Sequence, residues 1–179
     1  MIFTETPLVS AFLIRPERRV DERGYFARTF CDEEFAANGL PTVVRQCNSS
    51  FNLLKGTVRG MHFQQAPMAE AKLVRCTRGS VFDVMIDLRP DSPTFCHWYG
   101  AELTAENGHA LFIPEDFAHG FQTLTDASEV FYQMFAPYSP EHVDGVRWDD
   151  SAFGLNWPLP VSSIAARDQA FRLMRERRG

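Results

Sequence analysis

The sequence predicts an all-β domain built as a sandwich or a barrel. Short runs rich in β-branched and aromatic residues recur at a spacing of roughly 8–12 residues, with Gly, Pro, Asn and Asp between them. No long helical segments alternate with these runs, which disfavours a parallel α/β sheet. The chain has 179 residues, of which 45% are hydrophobic, so it is long enough to bury the core of one domain.

Ten runs carry the strand pattern, and no repeat, linker or change of composition marks a second domain. We therefore expect residues 1–179 to form a single domain. In chain order the predicted strands are Leu8–Arg15, Gly24–Cys31, Thr42–Cys47, Thr57–Gln64, Ala71–Thr77, Ser80–Leu88, Phe95–Leu103, His109–Ile113, Phe117–Thr123 and Glu129–Ala136.

Two short peripheral helices are predicted beside the strands. Asp32–Asn38 begins with an acidic turn and stops before Gly39, a residue that favours a helix C-terminus. Ser162–Arg177 is predicted as the second helix because its last turn is basic.

Glycine and proline mark the sharpest turns. Arg78-Gly79 lies between two predicted strands and indicates a tight hairpin, and Asn107-Gly108 indicates a type I′ hairpin. The segment Arg89–Pro93 is predicted to be a loop restrained by its two prolines.

Charge and hydropathy exclude several classes of partner. A formal net charge of -5 argues against a nucleic-acid polymer, whose binding proteins normally carry a basic excess. No window reaches the ~18 consecutive apolar residues of a membrane helix. The N-terminus lacks the basic region and cleavage site of a signal peptide. We therefore expect a cytoplasmic protein with no membrane partner.

The cysteines and histidines offer no recognisable metal site. One strand reads His62-Phe63-Gln64, so a second imidazole is missing where metal-binding barrels carry a His-x-His pair. The remaining histidines outside the aromatic run of residues 117–121 show no ligand spacing. The four cysteines fit no common zinc pattern, and we expect free, mostly buried thiols at Cys31, Cys47, Cys76 and Cys96.

Three titratable side chains fall on strand faces that otherwise look interior. Alternation places His62, Lys72 and Tyr132 beside apolar neighbours, and a buried lysine without a partner is costly. A cavity that opens to a ligand would remove this cost. Gly60 lies on the face of His62 and is expected to make room beside the ring, and Gln64 adds a second polar group there.

Each of these residues also has a purely structural interpretation. A lone His62 can be a satisfied core histidine, Lys72 a solvated lysine at a strand edge and Tyr132 a core aromatic with a satisfied hydroxyl. His119 can line a pocket or simply pack, and composition alone makes Asp168 a carboxylate on a helix surface.

Several ordered motifs together carry a family resemblance. The chain resembles the dTDP-4-dehydrorhamnose 3,5-epimerase family over nearly its whole length. The matching segments are Asp21-Glu22-Arg23-Gly24-Tyr25-Phe26, Gln46-Cys47-Asn48-Ser49-Ser50, Val58-Arg59-Gly60-Met61-His62-Phe63-Gln64, Ala71-Lys72-Leu73-Val74-Arg75-Cys76, Ile113-Pro114-Glu115-Asp116-Phe117-Ala118-His119-Gly120-Phe121, Tyr138-Ser139-Pro140 and Trp148-Asp149-Asp150.

The resemblance implies a cupin-like jelly roll and a homodimer whose subunits exchange N-terminal segments. It also implies a cofactor-independent isomerase that inverts C3 and C5 of a nucleotide-diphosphate 4-keto-6-deoxyhexose, of the dTDP-4-dehydro-6-deoxyglucose type. Such a reaction belongs to deoxysugar biosynthesis, as in dTDP-rhamnose supply for O-antigen or another cell-surface polysaccharide.

By the same resemblance, four residues take catalytic roles. His62 matches the base, and Asp168 matches the carboxylate that orients His62 and stabilises its protonated form. Tyr132 matches the acid on the opposite side of the sugar. Lys72 matches the cation near the developing enolate oxygen.

The resemblance also assigns substrate-binding residues. Arg23 and Arg59 match arginines that hold the diphosphate, His119 matches a histidine of the same pocket, and Tyr138 matches an aromatic that packs on the nucleotide. Strict alternation, however, puts Arg59 on the opposite face from His62. We therefore expect Arg59 to act at a strand end or across the dimer.

Two positions on the nucleotide side depart from the family pattern. Arg19 stands where the family commonly has an aromatic, and Arg28 stands where it usually has a Glu near thymine. Arginine has only donors and cannot accept the N3–H of thymine. One hypothesis is a CDP- or GDP-linked sugar contacted by Arg28. The alternative is that Arg28 points away and Gln46 and Asn48 suffice for thymine.

Other functions stay open at this point. A C3-only or C5-only epimerase would share most of the pocket. A non-catalytic barrel that binds a sugar nucleotide is disfavoured because it would not need a base and an acid together. A metal-dependent cupin oxygenase is disfavoured by Gln64, which stands where a histidine ligand is needed.

Overall fold

The computed structural model of the protein describes residues 1–177. Two antiparallel sheets pack face to face and enclose the core. The elements in chain order are strands β1 (Ile2–Glu5), β2 (Phe12–Arg15), β3 (Arg19–Asp21) and β4 (Gly24–Phe26), helix α1 (Asp32–Ala37), strands β5 (Gln46–Asn52), β6 (Thr57–Gln64), β7 (Lys72–Arg78), β8 (Ser80–Asp87), β9 (Trp98–Thr104), β10 (Ala110–Ile113), β11 (Phe117–Thr123), β12 (Ser128–Met134), β13 (Val143–Gly145) and β14 (Ser163–Ile164), and helix α2 (Ala166–Gln169), with 3-10 turns at Pro140–His142 and Met174–Glu176.

The strand order explains how one chain builds both walls of the core. The first sheet has the order β1-β2-β10-β7-β12-β5, and the second has the order β13-β6-β11-β8-β9, with β14 pairing in parallel with β6. From β5 to β8 each successive strand joins the opposite sheet, which is the arrangement of a jelly roll. The all-β, cupin-like prediction is confirmed.

Both predicted hairpins are wrong. Arg78-Gly79 joins β7 to β8, and Asn107-Gly108 lies between β9 and β10, but the two strands of each pair belong to different sheets. The turns are tight, and the chain uses them to cross the core. Each strand can then bury its apolar face against the opposite sheet.

The predicted C-terminal helix Ser162–Arg177 is also wrong. The segment is divided into β14, the four-residue α2 and a 3-10 turn. It is held at separate points: β14 pairs with β6, the Ser162 N–H donates to the Gly56 carbonyl oxygen, and the Met174 N–H donates to Asp150 Oδ2 at 2.6 Å. A continuous helix could not reach all of these partners.

The N-terminal third differs from the prediction in its strand boundaries. The strand predicted at Gly24–Cys31 is only the short β4, and β5 begins at Gln46 rather than at Thr42. Because β5 is mostly polar, it lacks a hydrophobic pattern, and it is defined instead by pairing along its whole length with β12. Helix α1 is confirmed and buries Phe35.

The thiols are less buried than expected. Cys31, Cys47 and Cys76 are free thiols, but only Cys76 is buried, and Cys47 on β5 is exposed. The expectation of mostly buried cysteines is therefore wrong. No helix among residues 1–177 is long and apolar enough to span a bilayer.

Candidate active site

A cavity of about 450 Å³ lies between the two sheets and collects most of the predicted site residues. Side chains from both sheets, from the loop after β12 and from α2 line it. The predicted residues that it brings together are Gln46, Asn48, Arg59, His62, Lys72, His119, Tyr132 and Tyr138.

His62 and Asp168 form a close pair at one wall of the cavity. Nε2 of His62 lies 2.7 Å from Asp168 Oδ1, and the Gly60 N–H donates to Asp168 Oδ2 at 3.2 Å. Asp168 is only 4% exposed, so its interpretation as a surface carboxylate is wrong. The reason is that α2 is held against β6, which turns Asp168 inward.

The electrostatics of the pair favour a permanent carboxylate. Burial alone would raise the pKa of Asp168, but the hydrogen bond from His62 and the Gly60 N–H outweigh burial and hold that pKa below its usual value. An ionised carboxylate only accepts hydrogen bonds, so Nε2 of His62 carries the proton and Nδ1 is left unprotonated in the neutral ring. Phe171 packs edge-on against the ring at 5.7 Å.

Gly60 has a different role from the one expected. A Cβ on Gly60 would lie 2.5 Å from the Gly120 Cα of the neighbouring strand β11, and Gly60 has φ +138°. The residue allows two backbones to approach closely and donates to Asp168. It does not make room beside the His62 ring.

Lys72 is paired inside the cavity wall. Its Nζ lies 2.8 Å from Glu70 Oε1 and donates to the His62 carbonyl oxygen at 3.3 Å. Both Lys72 and Glu70 are more than nine-tenths buried. Glu70 lies just before the strand predicted at Ala71–Thr77, so strand alternation did not place it in the site.

Tyr132 approaches the cavity from the other sheet. It lies on β12, opposite Val74 of β7 and Asn48 of β5. Burial raises the pKa of its phenol, Arg59 lowers that pKa and Glu70 raises it further. The net direction is upward, so the hydroxyl keeps its proton over the neutral range and is available as an acid.

His119 belongs to a second histidine–carboxylate pair. Its Nε2 lies 2.9 Å from Oδ1 of Asp83, which is fully buried on β8. Oδ2 of Asp83 has no hydrogen-bond partner among the described residues. Asp83 was not among the predicted site residues, although it is a carboxylate within the mostly apolar β8.

Arg59 faces the same cavity as His62, against the expectation from strict alternation. On β11, His119 pairs with His62 and Phe121 pairs with Arg59. The two β6 residues are three positions apart, whereas their two partners on β11 are two positions apart. This bulge shifts the alternation by one residue. Nε of Arg59 donates to Asn52 Oδ1 at 2.6 Å, and this hydrogen bond fixes the orientation of the Arg59 side chain.

Gln64 supports the loop that carries Tyr138. Its amide nitrogen donates to the carbonyl oxygens of Met68 and Pro137, and its Oε1 accepts the Ser139 N–H at 2.7 Å. All of these contacts are structural. Within residues 1–177, no cluster of three His, Cys, Asp or Glu side chains could hold a metal ion.

Two predicted binding residues lie outside the cavity of the single chain. Arg23 is on the exposed β3–β4 hairpin and pairs with Asp21 at 2.6 Å. Arg28 donates to Glu34 at 2.9 Å, and neither arginine lines the cavity. By contrast, Arg167 on α2 lines the cavity, although no sequence pattern selected it.

The chain is similar to known proteins over nearly its whole length. The family model of dTDP-4-dehydrorhamnose 3,5-epimerase matches residues 5–176. An enzyme of that name from Sinorhizobium fredii is 48% identical over 92% of this chain and 84% of its own length.

Two solved structures extend the similarity to the whole fold. The dTDP-4-dehydrorhamnose 3,5-epimerase of Elizabethkingia anophelis superposes with a TM-score of 0.95, is 35% identical, and the match covers 98% of this chain and 97% of that one. The Legionella pneumophila dTDP-6-deoxy-D-glucose-3,5-epimerase, solved with dTDP-4-keto-L-rhamnose, has a TM-score of 0.91, 33% identity and coverage of 97% and 93%. The chain therefore belongs to the dTDP-4-dehydrorhamnose 3,5-epimerase family of isomerases.

Proposed function

We propose that this protein inverts C3 and C5 of a dTDP-linked 4-keto-6-deoxyhexose, without a cofactor, in deoxysugar biosynthesis. The observation that carries the proposal is the placement of a base and an acid on opposite sheets of one cavity. His62 belongs to the second sheet and is held by Asp168 of α2, and the protonated Tyr132 belongs to the first sheet.

The chemistry follows from the ketone at C4, which acidifies the neighbouring C–H bonds. Nδ1 of His62 removes the proton from carbon, and the electron pair of the broken C–H bond moves into the C4 oxygen to form an enolate. Asp168 stabilises the imidazolium, and Lys72 stabilises the enolate oxygen. Tyr132 then delivers a proton to the opposite face of the carbon and recovers its own proton from solvent, while the His62 imidazolium releases the abstracted proton to solvent. The carbonyl is the only electron sink required.

The polar groups near Tyr138 are suited to the nucleotide diphosphate. Arg59 supplies a cationic fork, Gln46 and Asn48 supply amide groups, and Tyr138 offers an exposed ring. Because Arg28 is engaged with Glu34, the geometry supports dTDP rather than a CDP- or GDP-linked sugar. A thermal-shift panel of dTDP, CDP, GDP and UDP tests this choice: dTDP should stabilise most, and a preference for CDP or GDP would reverse it.

A homodimer with exchanged N-terminal segments accounts for the position of Arg23. The β3–β4 hairpin exposes Val20 and Phe26, with 77% and 69% of their surfaces accessible, as expected of a segment that a second copy covers. Arg23→Ala and His62→Ala, each inactive alone, should regain activity when co-expressed. Two inactive variants that do not complement each other would exclude a shared site.

The reaction itself is tested by deuterium wash-in. The sugar is incubated in D₂O, and NMR measures exchange at C3 and C5. Both positions should exchange, whereas exchange at C3 alone would assign a 3-epimerase. His62→Ala should abolish exchange at both positions, and substantial residual exchange would remove His62 from the role of base.

A further inference from the structure

Glu70 has no role in the mechanism above, yet it is buried in the wall of the active-site cavity. It lies two residues before Lys72, and its carboxylate is 2.8 Å from the Lys72 ammonium. A buried carboxylate is costly unless it is paired and hydrogen-bonded, and Lys72 supplies that pairing.

Glu70 restricts the orientation of the Lys72 ammonium. An ammonium has three N–H donors. One is directed to Glu70 and a second to the His62 carbonyl oxygen. Two of the three N–H groups are therefore occupied by protein acceptors. The third N–H remains for a ligand, because Lys72 lines the cavity. Glu70 thus orients the Lys72 donor in a place where a lone ammonium would be poorly solvated.

Glu70 also contributes to the charge that surrounds Tyr132. The titratable and charged groups that line the cavity around it are Arg59, His62, Glu70, Lys72, His119, Tyr138 and Arg167. Arg59 lowers the pKa of Tyr132, whereas Glu70 raises it. Among the groups that act on this phenol, Glu70 is the one that opposes the cation, because a negative charge disfavours a tyrosinate.

We propose that Glu70 is a positioning residue that orients Lys72 toward the enolate oxygen and places in the cavity wall a negative charge that offsets Arg59 beside Tyr132, the acid. This inference rests on the proposed epimerase function. According to this inference, Glu70 acts on both groups that serve the enolate. These groups are Lys72, the donor at the enolate oxygen, and Tyr132, the acid at the carbon.

The first test is the titration of Tyr132 in Glu70→Gln, followed by tyrosinate absorbance. The chain has four tyrosines, so the difference from the matching Tyr132→Phe protein isolates the signal. Loss of Glu70 should lower the pH at which Tyr132 ionises, and Glu70→Asp, which keeps the charge, should restore it. An unchanged titration in Glu70→Gln would overturn the proposal. This readout needs no activity, so it stands even if the proposed function fails.

The second test is the pH profile of epimerisation. In Glu70→Gln, kcat should fall about tenfold or more with little change in KM. The alkaline limb of kcat should move to lower pH together with the Tyr132 titration. A purely structural role would lower the amount of folded enzyme without moving the limb, and that result would overturn the proposal.

A third measurement uses the unaltered protein, in case Glu70→Gln does not fold. Lys55 and Lys72 are the only lysines in the sequence, so ¹⁵N-lysine NMR resolves two ammonium groups. The Lys72 ammonium should exchange its protons slowly because Glu70 and the His62 carbonyl hold it. Equal, fast exchange of both ammonium groups would contradict the pairing on which the proposal depends.

Discussion

Asp168 holds His62 from a distant part of the chain. The two residues are 106 positions apart in sequence, yet Asp168 Oδ1 lies 2.7 Å from His62 Nε2. The same carboxylate accepts the N–H of Gly60, two residues before the histidine. A single side chain of α2 therefore fixes both the ring and the strand that carries it, and this explains why the pair can act as a unit.

Asp168→Asn should lower kcat by about 10²-fold or more while leaving the fold intact. An amide cannot balance the charge of the imidazolium, and its NH₂ group can select the wrong tautomer of His62. Deuterium wash-in measures the loss, with Asp149→Asn at an exposed ion pair as the control. Equal rates in Asp168→Asn and wild type would show that the base works without its carboxylate.

Tyr132→Phe should separate exchange from inversion. Without the phenol, His62 can still remove a proton and return a deuteron to the same face, so wash-in should persist while inversion falls by about 10²-fold. NMR follows wash-in and the stereochemistry of the product in one sample. If exchange and inversion fall together, Tyr132 is needed to form the enolate and is not only the acid.

Gly60→Ala should destabilise the protein by roughly 3 kcal/mol and reduce activity. The new Cβ would collide with the backbone of Gly120, 2.5 Å away, in a backbone conformation that suits glycine. Gly154→Ala is the matched control, because Gly154 also has positive φ but no atom within 4 Å of the added Cβ. Its cost should be about 1 kcal/mol. Urea unfolding compares the two, and equal losses would contradict the close approach of β6 and β11.

Asp87 should make the stability depend on pH in the acid range. Burial acts to raise its pKa, but hydrogen bonds from Arg89, Ser92 and Thr94 lower the pKa from 3.8 to about 2. Because the pKa of the folded state is depressed, the stabilisation is complete above the unfolded value and disappears as pH falls through about 2. The shift corresponds to about 2 kcal/mol at neutral pH.

Asp87→Asn should therefore lose about 2 kcal/mol of unfolding free energy at neutral pH, and the difference from wild type should shrink in acid. Urea titrations at several pH values measure both effects. Asp149→Asn removes a partly exposed partner of Arg147 and should cost less than about 1 kcal/mol. A constant difference between Asp87→Asn and wild type down to pH 2 would show that packing, and not ionisation, explains the loss.

The fold class and half of the site were predictable because they follow from local patterns. Alternation along single strands placed His62, Lys72 and Tyr132 on interior faces, and the structure brings all three to one cavity. The polar β5, however, has no such pattern. Its boundaries depend on pairing with β12, which lies far along the chain.

The sequence by itself determined the all-β class, the strands that carry the three central side chains and the family resemblance. Only the tertiary structure decided that a four-residue helix buries Asp168, that a bulge turns Arg59 into the cavity and that Glu70 pairs with Lys72. The physical reason is that the period of a strand is local, whereas burial, bulges and ion pairs depend on segments that meet only when the two sheets close.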